Sequence, residues 1–219
     1  MPAFEYAIDL GYRYLETDVQ VTADGVLVAF HDYNLTRTCG INRKIAEMPW
    51  SDVKEALVDG VAPIPTLEEI LDAWPQARVN IDCKSDNAVP ALVAALRRTN
   101  ALDRVCVGAF NDLRVRRLRS ILGPGLCTSL GPGGVSQLRY GKMFRTSARA
   151  AQVPVRQGPL VVVTEKFIAR AHRLGLQVHV WTIDDPVEIN RLLDLGVDGI
   201  MTDRPVVLRD VLQQRDSWS

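Results

Sequence analysis

Several things are scarce in this 219-residue chain, and each scarcity removes a class of function. There are four cysteines, Cys39, Cys83, Cys106 and Cys127, and no two are spaced as CxxC. That excludes a sequence-readable zinc site and argues against a disulfide framework, so the cysteines read as reduced thiols filling small core positions. Neither sign of charge is in excess: 26 basic residues balance 26 acidic ones without a like-charged block. Nothing therefore points to a nucleic-acid groove or a polybasic membrane patch. Long apolar runs are missing too. Stretches such as Gly158–Val163 fall far short of the ~20 residues that span a bilayer. Met1 leads directly into Pro-Ala-Phe-Glu-Tyr, which is no signal peptide, and a cytoplasmic setting is the default expectation. No glycine-rich GxGxxG loop follows a strand, which weighs against a doubly wound dinucleotide-type sheet.

What is abundant is alternation. Short apolar segments read as strands at 14–19, 26–30, 79–84, 105–110, 126–130, 151–155, 177–183 and 199–202. Amphipathic helices separate most of them. Thr66-Leu-Glu-Glu69 is a capping box, and Asp185-Pro-Val-Glu188 is a start signal with proline in the first turn and Gly196 as its stop. Thr164–Leu174 carries Phe167, Ile168, Ala171 and Leu174 on one face. This βα alternation predicts an α/β fold with a parallel sheet, and the number of units favours a barrel over a single layer. The chain reads as one domain, with Arg139–Arg149 its least patterned stretch.

Chemistry-bearing residues concentrate at strand ends. Glu16 and Asp18 are two apart, as are Asp82 and Lys84, so each pair projects from one face of its strand. If the two strands are neighbours, three carboxylates and an ammonium converge. Such a set raises its own pKa values unless a cation compensates, and hard oxygen ligands suit Mg²⁺ or Ca²⁺. Spacing alone leaves open that the acids are separately solvated, or that Glu16 and Lys84 simply pair. His31 follows Asp18 by thirteen residues. The turn signal Thr22-Ala-Asp-Gly25 between them predicts a hairpin that returns the histidine to the acidic strand ends. A histidine placed there suits general acid–base work.

Leu15-Glu-Thr-Asp18, continuing to Phe30-His-Asp32 and Leu35-Thr-Arg-Thr38, resembles the signature of glycerophosphodiester phosphodiesterases. Ile64-Pro-Thr-Leu67, Asn80-Ile-Asp-Cys-Lys84, Val180-Trp-Thr-Ile183 and Val197–Pro205 resemble its later landmarks in order. The resemblance implies a (β/α)8 barrel of the TIM type and a single divalent cation, Mg²⁺ or Ca²⁺, on Glu16, Asp18 and Asp82. It further implies that His31 is one of two catalytic histidines, that Lys84 binds phosphate, and that Trp181 lines the substrate pocket. The implied reaction is attack by a neighbouring glycerol hydroxyl, a cyclic phosphate, and hydrolysis to glycerol 3-phosphate and an alcohol. The substrate is then a small glycerophosphodiester.

Two departures stand out. Asp82 occupies a ligand position where this family often has glutamate. The family's opening strand, with His-Arg-Gly, has no counterpart before Met1, so the barrel is expected to lack its first strand as written, and the resemblance then implies crippled turnover. Residues 2–11 read as the end of a helix, stopped by Gly11. The alternatives are a non-catalytic relative that keeps metal or phosphate-ligand binding, and a lipid-cleaving enzyme of the sphingomyelinase D type. Of the remaining histidines, His172 is expected on a helix surface and His179 in the core. Asp203 is expected to cap the helix that begins at Pro205.

Overall fold

The computed structural model describes residues 1–141 and 145–218. Part of the weakly patterned stretch 139–149 thus lies outside the described residues. The chain divides into two compact units, Met1–Cys127 and Thr128–Ser219, each taken by itself below.

The first unit opens with helix α1 (Pro2–Asp9), its proline in the first turn and Gly11 just beyond its end at φ 100°. Strands β1 (Tyr14–Val21) and β2 (Leu27–Ala29) follow, then the short helices α2 (Thr36–Cys39) and α3 (Trp50–Val53) and the two-residue strands β3 (Leu57–Val58) and β4 (Ala62–Pro63). The unit continues with α4 (Leu67–Ala73), β5 (Arg78–Cys83), α5 (Ala88–Arg98), β6 (Val105–Gly108), α6 (Asp112–Leu122) and β7, which begins at Cys127. Its sheet has the order β2-β1-β5-β6-β7, with β1, β5 and β6 parallel and β2 antiparallel to β1. Residues 16–19 of β1 sort by face. Thr17 and Val19 are buried, whereas Glu16 is exposed and Asp18 half-buried.

The predicted hairpin forms. The Thr22 hydroxyl accepts from Val26 N–H and donates to Asp24, and Gly25 sits at φ 87°, a conformation that costs glycine little. The β1–β2 ladder pairs Val19 with Ala29, and Phe30 N–H donates to the Asp18 carbonyl at 2.9 Å. The segment after β2 rests on a small core of its own, with Leu35, Ile45, Met48, Val53 and Ile64 closely packed beneath it. The main core lies between the sheet and helices α4, α5 and α6, where Val79, Ile81, Leu92, Leu96, Val107 and Leu118 are almost fully buried. The Thr66 capping box is complete, with Glu69 N–H reaching the Thr66 hydroxyl and the Glu69 carboxylate accepting from Thr66 N–H.

The second unit holds α7 (Pro132–Tyr140), β8 (Ala150–Pro154), the small hairpin β9 (Arg156–Gln157) with β10 (Leu160–Val161), α8 (Glu165–Arg173), β11 (Gln177–Trp181), α9 (Pro186–Leu195), β12 (Gly199–Ile200) and α10 (Pro205–Gln214). Its sheet is the parallel set β12-β11-β8. Phe167, Ile168 and Ala171 on α8 are buried as the periodicity predicts, but Leu174 lies past the helix and is 41% exposed. Asp185 caps α9 by accepting from Val187 and Glu188 N–H, and Gly196 ends it at φ 96°.

The expected strands are all present, most trimmed at their C-terminal ends, because carbonyls and amides there turn into loops rather than ladders. The hairpins β3–β4 and β9–β10 carry too little apolar alternation to be foreseen. Asp203 does not cap α10; its backbone N–H donates to Asp184, and the Thr202 hydroxyl receives Arg204 N–H instead. No helix among the described residues is long and apolar enough to cross a membrane.

Candidate active site

In the first unit the parallel ladder sets Asp18 on β1 directly beside Asp82 on β5. Both lie near the C-terminal end of the parallel ladder, which closes at Val19 and Cys83, and both point to the same face because register pairs point alike. Lys84, one strand period beyond Asp82, brings its ammonium between them: Nζ is 2.6 Å from Asp18 Oδ1 and 2.9 Å from Asp82 Oδ2. The three side chains are each about 15% exposed. Burial pushes the Asp18 carboxyl up from its ordinary pKa, against the pull of Lys84 and His31. Burial also works to lower Lys84, but the two aspartates outweigh it and hold the ammonium above its usual pKa. One lysine faces two aspartates, and Asp82 Oδ1 is buried with no hydrogen-bond partner. A buried carboxylate oxygen left in that state is costly and asks for a cation or a donor.

Glu16 lies one strand period below Asp18, in register with Asn80 of β5, and its side chain is exposed. Among the described residues no three acidic, histidine or cysteine side chains surround a single point closely enough to hold a metal. Lys84 sits between the two aspartates, so the pairing between Glu16 and Lys84 considered from spacing is replaced by Lys84 with Asp18 and Asp82.

His31 arrives where the hairpin was expected to bring it. Its carbonyl accepts from the buried Gln20 side chain at 3.3 Å, which fixes the backbone of the returning segment. Its ring Nδ1 is 2.6 Å from Asp32 Oδ1, and the ring is exposed. Asp32 in turn accepts from Arg37, with Nε at 2.7 Å and Nη2 at 3.1 Å. Hydrogen bonds from Arg37 and His31 draw the Asp32 carboxyl down to about 2. Sequence reasoning did not single out Asp32 and Arg37. Their five-residue spacing along the segment after β2 carries no periodic signal, although an acid adjacent to a catalytic-type histidine was visible.

These groups open onto one cavity of about 340 Å³, lined by His31, Asp32, Tyr33, Asn34, Asp82, Lys84, Phe110 and Arg114. Tyr33 donates to the Lys84 carbonyl at 3.5 Å, and the Lys84 ammonium is 5.7 Å from the centre of the Phe110 ring. Phe110 and Arg114 come from the loop and first turn after β6. They were missed as site residues, although every loop at the C-terminal edge of a parallel sheet is a candidate for one.

Trp181 closes β11 in the second unit, half-buried and in register with Pro154. Nearby, His179 is half-buried rather than fully packed. Its ring nitrogens lie 3.4 Å from the Gln152 amide and 3.3 Å from the Gln177 carbonyl oxygen, and burial lowers its pKa. His172 is exposed, as expected of a surface helix position, and pairs with Asp198 at 2.8 Å.

The model of the Glycerophosphoryl diester phosphodiesterase family matches residues 1–124 and 127–207. The chain is 39% identical over 227 aligned positions to the Probable glycerophosphodiester phosphodiesterase 2 of Mycobacterium tuberculosis, covering 100% of this chain and 86% of that protein. A crystal structure from Silicibacter pomeroyi that carries the name of a glycerophosphoryl diester phosphodiesterase superposes with a TM-score of 0.82 at 26% identity, over 99% of this chain and 88% of that one. A phosphodiesterase from Oleispira antarctica, solved with the product sn-glycerol-3-phosphate, shares the fold at a TM-score of 0.81 and 19% identity, over 96% of this chain and 90% of that one. The fold class is thus the α/β, TIM-barrel class of these structures.

Proposed function

Because the chain belongs to the glycerophosphoryl diester phosphodiesterase family, we propose that it hydrolyses small glycerophosphodiesters to glycerol 3-phosphate and an alcohol, at the cavity that His31, Asp82 and Lys84 share. The observation that carries this reading is the gathering of His31, Asp82 and the Lys84 ammonium on one opening of about 340 Å³, a volume within the usual range for small-molecule sites.

His31 has the geometry of a general base. With its Nδ1–H donated to Asp32, the neutral ring leaves the Nε2 lone pair for a hydroxyl proton, and the same nitrogen can return that proton later. Arg37 keeps Asp32 ionised and oriented, so the tautomer is held from behind. Lys84 presents a point charge suited to a phosphoryl oxygen. Asp18 and Asp82 are hard oxygen donors that outnumber their one lysine and leave one buried oxygen orphaned, a chemistry that suits Mg²⁺ or Ca²⁺; Glu16, one strand period below and exposed, would complete the set only by turning toward them. Bound there, such an ion would polarise the phosphoryl group and acidify the attacking hydroxyl.

A second reading has its own support. Lys84 between Asp18 and Asp82 offers phosphate and cation binding that needs no proton transfer, which suits a ligand-binding role. The test measures glycerol 3-phosphate release from mixed glycerophosphodiesters, with and without chelator. It compares the 219-residue chain with one lengthened at its N-terminus by a strand carrying His-Arg-Gly. Chelator-sensitive release by either chain supports the enzyme reading, and release by the lengthened chain alone assigns the missing step to that strand. Silence from both, with intact phosphate-ester binding, leaves the binding reading.

A further inference from the structure

Arg114 is placed with unusual care for a helix arginine. Asn111 caps α6 by accepting from Leu113 and Arg114 N–H, which sets Arg114 in the first turn beyond β6. Its side chain folds back over the end of β5. Nη1 donates to the Cys83 carbonyl at 2.8 Å, and Nε donates to Asp86 at 2.7 Å. The side chain is only 11% exposed, yet it lines the same cavity as Lys84 and Phe110. A guanidinium has five N–H donors, and these two bonds orient its plane without consuming it.

The strand order gives this position a meaning. Along β2-β1-β5-β6, strand β5 with Asp82 and Lys84 lies between the His31 segment on one side and the Phe110–Arg114 segment on the other. In an in-line displacement at phosphorus the attacking and leaving oxygens stand on opposite sides. With His31 serving the attacking glycerol hydroxyl, the released alcohol lies toward Phe110 and Arg114. That end of the cavity offers hydrogen-bond donors and positive charge. The face of Phe110 that could have received a quaternary ammonium already has the Lys84 ammonium 5.7 Å away. Of the nearby carboxylates, Asp32 is engaged by Arg37 and Asp86 by Arg114, while Asp82 pairs with Lys84 through Oδ2 and its remaining oxygen is buried, out of reach of a bulky quaternary ammonium.

We propose that Arg114 is a specificity-determining residue that reads the alcohol leaving the diester, favouring polyol alcohols over quaternary-ammonium ones. The proposal rests on the phosphodiesterase reading and extends it to a substrate class.

The experiment measures binding by calorimetry and hydrolysis by glycerol 3-phosphate release, for glycerophosphoinositol and glycerophosphocholine. It uses the wild-type chain, Arg114→Gln, Arg114→Lys and Asp86→Asn, with melting temperatures recorded for each. Asp86 is 63% exposed and is not among the residues lining the cavity, so Asp86→Asn loosens the anchor while leaving the guanidinium in place. The wild type is expected to prefer the inositol diester. Loss of a charge-assisted contact in Arg114→Gln should weaken that diester by roughly 10- to 100-fold in Kd or KM and leave the choline diester within about threefold. Arg114→Lys should recover part of the loss, and Asp86→Asn, which removes one orienting charge but keeps the guanidinium, should shift the preference the same way by a smaller factor. Equal weakening of both diesters by Arg114→Gln, or a larger change of preference in Asp86→Asn than in Arg114→Gln, overturns the specificity role and reduces Arg114 to a latch on the β5 end. If the wild type neither binds nor cleaves either diester, the phosphodiesterase reading itself falls, and the proposal with it.

Discussion

Both units of this chain place aspartates beside the ends of parallel strands, and they use them in opposite ways. In the second unit Asp184, Asp185 and Asp198 are consumed by the fold. Asp184 accepts from the Thr202 hydroxyl and Asp203 N–H, Asp185 caps α9, and Asp198 accepts from Val178 N–H while pairing with His172. In the first unit Asp18 and Asp82 share one lysine, and one carboxylate oxygen stays buried without a partner. An acid at a strand end is therefore not a site in itself. The site lies where local structure leaves charge and hydrogen-bonding capacity unspent, since such residues cost stability unless a ligand repays them.

The contrast can be broken most forcefully at His31. Replacement by alanine should lower kcat/KM by about 10²- to 10⁴-fold, with little change in melting temperature because the ring is exposed. Steady-state kinetics beside thermal melts check this, and comparable loss of both would mean that the segment, not the base, was removed. Next comes Lys84→Met. It leaves Asp18 and Asp82 facing each other, which should cost about 2–4 kcal/mol in urea unfolding and abolish phosphate-ester binding. Added Mg²⁺ or Ca²⁺ should restore part of that stability, and failure of either ion to do so would count against cation binding at the pair.

In the second unit, Phe167→Ala should cost a similar or somewhat larger amount, about 3–5 kcal/mol, because Phe167 is completely buried. Under conditions where the variant remains folded, KM should not change. Asp185→Ala should remove only the α9 cap, about 1 kcal/mol, again without a kinetic signature. A change in KM for either variant would blur the division between structural and functional residues.

The smallest effect concerns pH. Burial lowers the His179 pKa below its unfolded value of 6.5, so the unfolded chain takes up this proton first. Its contribution to stability is then complete above about pH 6.5 and declines as the pH falls through the unfolded and then the folded pKa. Unfolding free energies measured between pH 7.5 and 5 should slope less steeply in His179→Asn than in the wild type. Asp32 gives a separate window. Its folded pKa near 2, against 3.8 unfolded, makes the Arg37 contact favourable above about pH 4 and progressively lost below it.

Much of this arrangement was legible beforehand for local reasons. The two-residue period of a strand put Glu16 with Asp18 and Asp82 with Lys84, the Thr22–Gly25 turn returned His31, and the Thr66 and Asp185 caps marked helix starts correctly. Each signal depends on atoms a few residues apart, and short-range sterics and hydrogen bonding decide them in any fold. The contacts that give the site its character span longer distances or depend on side-chain reach. Sequence spacing could not say that Asp18 would stand in register with Asp82, that one ammonium would serve both, or that Arg114 would turn back thirty-one residues to the Cys83 carbonyl.

What the sequence by itself determined is the βα order, the strand faces and the caps, because these are set by periodicity and by neighbouring backbone groups. Only the tertiary structure decided which charges would be satisfied and which left over. That balance is fixed by register and burial, when strands distant in sequence share a sheet and their side chains leave water together.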